Sequence, residues 1–117
     1  MGKSSREKGK QGERELAAEL RRLGFDTARR AQQYCGTESS ADILGIAKVH
    51  IECKRCESLS IYKAMQQAMR DAGETQDIPV VMHRRSRQPW LVVMEIEDWA
   101  EMYRAYIHQQ NYKGDSL

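Results

Sequence analysis

The chain begins with a segment whose apolar residues recur at helical spacing. Leu16, Leu20 and Leu23 lie on one stripe among Glu, Arg and Ala residues, and Gly24 follows in a position suited to a left-handed cap. This pattern predicts a first helix over residues 7–23, with the three leucines facing the core.

Two later segments also show helical periodicity. Ser60 is suited to cap a second helix and Gly73 to stop it, and the apolar stripe between them consists of Ile61, Met65, Ala68, Met69 and Ala72. Asp98 is suited to cap a third helix, and its predicted inward-facing residues are Trp99, Met102, Tyr103 and Tyr106. The last residues, 111–117, are expected to fray.

The remaining apolar runs are short and rich in β-branched residues, which predicts strands. Three successive strands are expected over residues 25–33, 42–46 and 49–54, with a loop at residues 36–40. Residues 78–84 and 90–96 predict a hairpin joined by a polar connector. The order αβββαββα predicts an α/β fold, in which helices flank a mixed sheet and a C-terminal helix follows. The length of 117 residues suits a single domain over residues 1–117.

Composition restricts the class of protein. The chain is 40% hydrophobic and 31% charged, as in ordinary globular proteins. No apolar run approaches the about 20 residues of a bilayer-spanning helix, and the polar, basic N-terminus lacks the apolar stretch of a secretory signal. These features predict a cytoplasmic protein. Three cysteines are an odd count, which favours reduced thiols over a disulfide framework.

Charge is unevenly distributed along the chain. The net charge is only +2, but residues 1–30 carry nine Lys or Arg against five acids, whereas residues 95–117 carry two against five. A basic segment attracts phosphate backbones. Charge alone fits RNA, DNA or an acidic protein surface equally well.

A pair of acidic residues on adjacent strands indicates a metal site. Alternation along a strand places Glu52 and Lys54 on one face, with Cys53 on the other. If the preceding strand pairs as a hairpin around residues 45–48, the carboxylate of Asp42 approaches Glu52. Two nearby carboxylates repel unless a cation lies between them, and such hard oxygen ligands suit Mg²⁺ or Mn²⁺.

Glu13 is a further candidate, because it falls on the same side of the first helix as the leucine stripe. Burying an unpaired carboxylate is costly, so Glu13 should meet either a basic side chain or a metal ion. A metal site beneath the helix would satisfy it.

Other motifs have plainer interpretations. A Glu-x-Lys triplet alone is weak evidence for a catalytic site, because such triplets are frequent by chance. Cys53 and Cys56 could suggest zinc, but on a strand they point to opposite faces. His50 and His83 lack helical metal spacing and are expected to be structural.

Several polar residues keep two interpretations open. Arg84, Arg85 and Arg87 could simply be solvated on a hairpin, or could grip a phosphate backbone. Gln66 and Gln67 begin the polar edge of the second helix. A solvated helix face is a commoner explanation for them than a position near the metal site.

Five ordered pieces of the chain resemble the PD-(D/E)xK nucleases, and within them the archaeal-type Holliday junction resolvases and their phage-like relatives. The pieces are Lys8-Gly9-Lys10-Gln11-Gly12-Glu13-Arg14-Glu15-Leu16, Gly24-Phe25 leading to Arg29, Ala41-Asp42-Ile43, Ile51-Glu52-Cys53-Lys54, and Ile78-Pro79-Val80-Val81. The resemblance extends over roughly residues 8–96, and Ala41 stands where the family name has Pro.

The resemblance implies a restriction-endonuclease-like αβββαβ core and a metal-dependent endodeoxyribonuclease. Its implied catalytic residues are Glu13, Asp42, Glu52 and Lys54. Asp42 and Glu52, with Glu13 and the backbone carbonyl of Cys53, would bind Mg²⁺, for which Mn²⁺ can substitute. Lys54 would orient or activate the attacking water.

The resemblance also implies a DNA partner, in particular branched DNA such as a Holliday junction in recombination or repair. The candidate DNA-binding residues are Lys8, Lys10, Arg14, Arg29, Arg30, Arg84 and Arg85, and Gln66 is an auxiliary candidate. A two-fold homodimer is expected, because resolving a four-way junction requires two related incisions. The alternatives are an end-processing, nicking or restriction-like nuclease, and a non-catalytic nucleic-acid-binding protein with the same fold.

Overall fold

The computed structural model describes the backbone of residues 2–32 and 41–115, and the side chains of residues 7–32 and 41–111. The elements in chain order are α1 (Gly2–Arg22), β1 (Arg29–Arg30), β2 (Ile43–Leu44), β3 (Val49–Arg55), α2 (Ile61–Ala72), β4 (Ile78–Arg84), β5 (Leu91–Val93) and α3 (Ile96–Asp115). This order confirms the predicted α/β class. The loop predicted at residues 36–40 lies outside the described residues.

The five strands form one mixed sheet in the order β1-β2-β3-β4-β5. Strands β1, β2 and β3 pair antiparallel, β3 and β4 pair parallel, and β4 and β5 pair antiparallel. Parallel neighbours need a crossover connection, and α2 provides it between β3 and β4. A mixed sheet with helices on its faces and a C-terminal helix agrees with the restriction-endonuclease-like fold predicted from the sequence.

Each face of the sheet carries its own apolar core, because successive side chains of a strand point to opposite faces. The α1 side is formed by the buried residues Leu16, Ala17, Leu20, Ala28, Ile43, Ile51 and Val80. The α2 side is formed by the buried residues Ala64, Met65, Ala68 and Val81. Strand β3 therefore turns Ile51 toward α1 and the next residue, Glu52, toward α2.

Helix α1 begins earlier than its apolar pattern predicts, at Gly2. Its end is the predicted left-handed cap: Gly24 has a φ of 105°, and the N–H of Phe25 donates to the carbonyl of Leu20 at 3.0 Å. The prediction that Leu23 faces the core is wrong, because 56% of this residue is exposed. Leu23 lies in the cap turn, where the chain has already left the helical stripe.

Two predicted capping interactions are also corrected. Ser60 occupies the N-cap position of α2, but its side chain makes no capping hydrogen bond. Helix α3 begins at Ile96, and the N–H of Trp99 donates to the carbonyl of Glu95 at 3.1 Å. Asp98 therefore lies inside the first turn, where its negative charge still favours the positive end of the helix dipole.

The C-terminal elements differ in extent from their predicted bounds. Strand β5 covers only Leu91–Val93, because the chain enters α3 soon afterwards, whereas the sequence predicted a strand over residues 90–96. Helix α3 continues to Asp115, so residues 111–115 are helical rather than frayed.

Helix α3 makes few contacts with the rest of the domain. Its aromatic residues were predicted to face inward, but Trp99 is 50% exposed, Tyr103 47% and Tyr106 56%. The periodicity correctly identified a shared stripe, since the rings of Trp99 and Tyr103 stack with centroids 5.1 Å apart. Neither α3 nor another helix within residues 2–32 and 41–115 is long and apolar enough to cross a membrane.

Candidate active site

Asp42 precedes β2, where the β2–β3 hairpin holds it against the main chain of β3. Its N–H donates to the carbonyl of Ile51 at 2.8 Å, and its Oδ2 accepts the N–H of Cys53 at 2.8 Å. Ile43 pairs with Ile51, and the two strands form the antiparallel hairpin that the sequence predicted. Backbone hydrogen bonds therefore fix the carboxylate beside β3.

Gly45 allows the hairpin to pass close to the preceding chain. Its φ is 92°, and a Cβ at this position would lie 1.9 Å from the carbonyl oxygen of Thr27. The hydroxyl of Thr27 donates to the carbonyl of Gly45 at 2.6 Å, which links the two segments. Only glycine fits both the close approach and the left-handed backbone.

Replacing Gly45 by alanine is expected to lower the free energy of unfolding by about 2 kcal/mol or more, since the added methyl group clashes and the backbone becomes strained. Urea unfolding followed by circular dichroism measures this loss. Gly9→Ala is the matched control, because Gly9 lies in α1 and a methyl group there would meet no neighbouring segment within 4 Å. Equal unfolding midpoints for the two variants would contradict the argument.

Glu52 lies on the α2 side of β3 and is only 2% exposed. Burial, and then the neighbouring charge of Asp42, raise the pKa of Glu52 to about 9. A side-chain hydrogen bond with Asp42 and the charge of Asp71 act in the same direction, whereas Lys54 opposes them. The structure thus brings Asp42 and Glu52 together.

Lys54 lies on the same side of β3 as Glu52 and contacts α2. Its Nζ donates to Oε1 of Gln67 at 2.8 Å. The auxiliary candidate Gln66 is exposed instead and lines a groove beside Tyr62. Helical phase could have identified Gln67, because it lies three residues after the buried Ala64 and shares that side of the helix.

Glu13 is half-buried on α1 and forms an ion pair with Arg30, whose Nε lies 2.9 Å from Oε1. This contact falls outside hydrogen-bond geometry, so the buried Nε of Arg30 lacks a hydrogen-bond acceptor among the described residues. Burial, and next the charge of Asp42, raise the pKa of Glu13, while Arg30 and Arg14 oppose the rise. Glu13 therefore faces Asp42 from α1 and has the basic partner that its core-facing position required.

A second polar cluster adjoins Glu52 and was not identified from the sequence. His50 Nε2 lies 2.9 Å from Oε1 of Glu52, and both residues are buried. Asp71, in the last turn of α2, completes a group whose ligand atoms all lie within 4.8 Å of one another. Burial lowers the pKa of His50, against the opposing charge of Asp71. These three residues could hold a metal ion.

The two described cysteines do not favour a zinc site. Cys53 packs against the α1-side core, and burial raises the pKa of its thiol, which disfavours the thiolate form that zinc requires. The nearby Cys56 accepts, through its carbonyl, a 2.9 Å hydrogen-bonding contact with Nε2 of His83. Cys35 lies outside the described residues.

The candidate DNA-binding residues fall into two groups. The exposed members are Lys8, Arg14, Arg29 and Arg85, and Lys10 is half-buried with Glu7 4.0 Å away. The other two form ion pairs within the chain: Arg30 with Glu13, and Arg84 with Glu15.

A charged cluster fixes α1 against the sheet. Glu15 pairs with Arg84 and accepts a hydrogen bond from Nε of Arg55 at 3.2 Å. Gly12 permits this approach, because a Cβ there would lie 2.6 Å from Cβ of Arg55. These contacts hold α1, and with it Glu13, over β3 and β4.

The chain as a whole matches a known nuclease family. No curated protein and no solved structure matches it. The model of a family described as "Phage putative PDDEXK endonuclease" matches residues 4–115, which include Glu13, Asp42, Glu52 and Lys54. This match supports the PD-(D/E)xK superfamily and a nuclease activity. Because it covers nearly the whole length, the chain belongs to the phage putative PDDEXK endonuclease family.

Proposed function

We propose that this protein is a single-domain, metal-dependent endodeoxyribonuclease in which Asp42, Glu52, Lys54 and Glu13 form the active site. The observation that carries the proposal is the convergence of Asp42 and Glu52 beside Lys54, three residues that the sequence resemblance assigns to the active site. The alternatives are a nuclease with a different DNA substrate and a nucleic-acid-binding protein that does not cleave. Cleavage assays distinguish them.

The residues present fit a divalent cation. Asp42 and Glu52 are close enough that one raises the pKa of the other, and a cation between them would allow both to ionise. Glu13 and the carbonyl of Cys53 would supply further oxygen atoms. Such a set of hard ligands suits Mg²⁺, with Mn²⁺ as a substitute.

Each residue has a defined part in phosphodiester hydrolysis. A bound divalent cation would polarise the phosphate and lower the pKa of the attacking water. The Lys54 ammonium, held by Gln67, would orient that water and stabilise the negative charge that develops on the phosphate. Asp42, fixed by the N–H of Cys53, would keep its carboxylate directed at the ion.

Glu13→Gln is expected to reduce cleavage about tenfold or more, because the neutral amide both weakens the metal site and releases Arg30. The measurement is the single-turnover rate on a plasmid substrate with Mg²⁺. Glu19→Gln, a variant of a half-buried acid elsewhere on α1, should cleave at the wild-type rate. Cleavage by Glu13→Gln at the wild-type rate would remove Glu13 from the proposed site.

We further propose that a homodimer acts on branched DNA. The resemblance to archaeal-type Holliday junction resolvases supports this substrate, and the exposed basic residues Lys8, Arg14 and Arg29 support a DNA-facing side. The exposed ring stack of Trp99 and Tyr103 on α3 supports an interface, because a large apolar stripe of this kind is usually covered.

The substrate test compares four-way, flapped, nicked and linear duplex DNA of the same sequence, with Mg²⁺ and with EDTA. Preferential paired incision of the four-way junction is expected. Equal cleavage of linear and four-way DNA would favour an end-processing, nicking or restriction-like nuclease. Binding without any cleavage would favour a non-catalytic nucleic-acid-binding protein.

The dimer test uses light scattering of the full chain at micromolar concentration. The double variant Trp99→Ser/Tyr103→Ser is expected to be monomeric, because it removes the stacked rings, whereas Gln109→Ser on an exposed part of α3 should stay dimeric. A monomeric wild type would reject the dimer and leave the nuclease assignment unaffected.

A further inference from the structure

His50 places an imidazole beside the proposed catalytic carboxylates. It lies two residues before Glu52 on β3, so the alternation of the strand directs both side chains toward α2. Asp71 reaches the same place from the last turn of α2. Two elements that are about 20 residues apart in sequence thus bring one nitrogen ligand and two carboxylates together.

We propose that His50, Glu52 and Asp71 form a second cation position, which shares Glu52 with the Asp42 position and prefers a first-row transition metal ion to Mg²⁺. This inference rests on the proposed function in that Glu52 belongs to both positions. It adds two ligands, His50 and Asp71, that the nuclease motif does not contain.

The spacing of the three ligand atoms suits a single ion. Bonds of about 2.1 Å place neighbouring ligands of an octahedral ion roughly 3 Å apart and opposite ligands roughly 4 Å apart. The 2.9 Å between Nε2 of His50 and Oε1 of Glu52 fits a neighbouring pair. All three atoms lie within 4.8 Å of one another, so a small movement of Asp71 closes the set.

The electrostatic surroundings also favour a cation. Glu52 is 2% exposed and His50 5% exposed, so water is largely excluded from both. Within residues 7–32 and 41–111, no group donates a hydrogen bond to the half-buried carboxylate of Asp71. Lys54, on the same side of β3 as Glu52, donates a hydrogen bond to Gln67. Two adjacent carboxylates, one of them buried, repel each other when both are ionised, and a bound cation removes that repulsion.

The ligand types determine which ion is preferred. Mg²⁺ and Ca²⁺ bind oxygen ligands almost exclusively, whereas an imidazole nitrogen suits first-row transition ions. Neither of the two described cysteines belongs to this group, and Cys53 packs against the α1-side core. The expected occupant is therefore an ion such as Mn²⁺ or Co²⁺, in a site with one nitrogen and carboxylate oxygens.

The test is electron spin-echo spectroscopy of Mn²⁺ bound to the full-length protein without DNA. Modulation from a directly coordinated ¹⁴N is expected in the wild type, and it should change to the ¹⁵N pattern after labelling with [¹⁵N]histidine. His50→Gln is expected to lose the coupling and to bind Mn²⁺ about tenfold or more weakly. His83→Gln is the matched control and should keep the coupling, because His83 contacts the carbonyl of Cys56 instead.

Two further variants protect the test against misfolding of His50→Gln. The chain contains three histidines, so His83→Gln/His108→Gln leaves His50 as the single source of a histidine signal. Asp71→Asn should weaken Mn²⁺ binding about tenfold while changing Mg²⁺ binding much less. Absence of histidine coupling in the wild type or in the double variant, or its persistence in His50→Gln, would overturn the inference.

The spectroscopic result is independent of DNA cleavage, so the two proposals can fail separately. Histidine coupling without any cleavage would uphold the second cation position and reject the nuclease. Mg²⁺-dependent cleavage without histidine coupling would uphold the nuclease and reject the second cation position.

Discussion

Asp42→Asn is expected to reduce DNA cleavage about 1,000-fold while the protein remains folded and still binds DNA. The amide removes the negative charge that would hold the cation between Asp42 and Glu52, so the transition-state charge loses its main stabilisation. The fold should survive, because an amide oxygen can still accept the hydrogen bond from the N–H of Cys53.

The measurement combines single-turnover cleavage, a DNA mobility-shift assay and thermal unfolding of the same preparations. Asp26→Asn is the control: it makes the same chemical change at an exposed position outside the site and should leave all three results unchanged. EDTA should reduce wild-type cleavage to the level of Asp42→Asn. Undiminished cleavage by Asp42→Asn would mean that the proposed site is wrong.

The centre of this site was predictable because it depends on local geometry. A tight hairpin fixes Asp42 opposite β3, and strand alternation fixes Glu52 and Lys54 on one face, so two short-range rules suffice. The core-facing phase of Glu13 likewise predicted a partner, which the structure identifies as Arg30. The fold class was also predictable, because the order of helices and strands can be recognised from short-range periodicity.

The contribution of α2 was not predicted, because it depends on how that helix lies across the sheet. Helical phase shows that Gln67 and Asp71 share a face with Ala64, but it does not show which strand residues they meet. Lys54 meets Gln67 rather than Gln66, and Glu52 meets Asp71, only once α2 is packed on β3.

The aromatic stripe of α3 shows a different limit of sequence patterns. Periodicity at Trp99, Tyr103 and Tyr106 identifies residues that share a face, but it does not show whether the same chain covers that face. In the structure, the described chain leaves it exposed. The same pattern is therefore compatible with a core helix and with a helix that binds a second copy.

Glu52→Gln is expected to stabilise the metal-free protein at alkaline pH, although it should abolish cleavage. The amide has the shape of a protonated carboxylic acid and cannot ionise. In the wild type, burial and the charge of Asp42 raise the pKa of Glu52 from 4.5 to about 9. The charged form is thus unfavourable in this site, where Asp71 adds a further negative charge and Lys54 only partly compensates.

The sign of the pH dependence follows from the number of protons bound. Above about pH 4.5 the unfolded chain releases the proton of Glu52, whereas the folded protein keeps it until about pH 9. The folded state binds more protons in this window, so the stabilising contribution of Glu52 is fully present below pH 4.5. It is lost progressively as the pH rises to about 9.

The experiment measures the difference in Tm between Glu52→Gln and wild type from pH 5 to pH 9 in the presence of EDTA. The Tm of the variant relative to wild type is expected to rise steadily with pH. At pH 9 the variant should melt at least about 5 °C higher, since about 1–2 kcal/mol shifts Tm by that amount in a domain of this size. Glu101→Gln, on the exposed surface of α3, should track the wild type. Saturating Mg²⁺ should raise the wild-type Tm most at pH 9, because the ion binds the ionised carboxylates, and should leave Glu52→Gln nearly unchanged. A difference in Tm that is independent of pH would show that Glu52 is already ionised in the folded protein, and that Asp42 and Glu52 do not compete for charge.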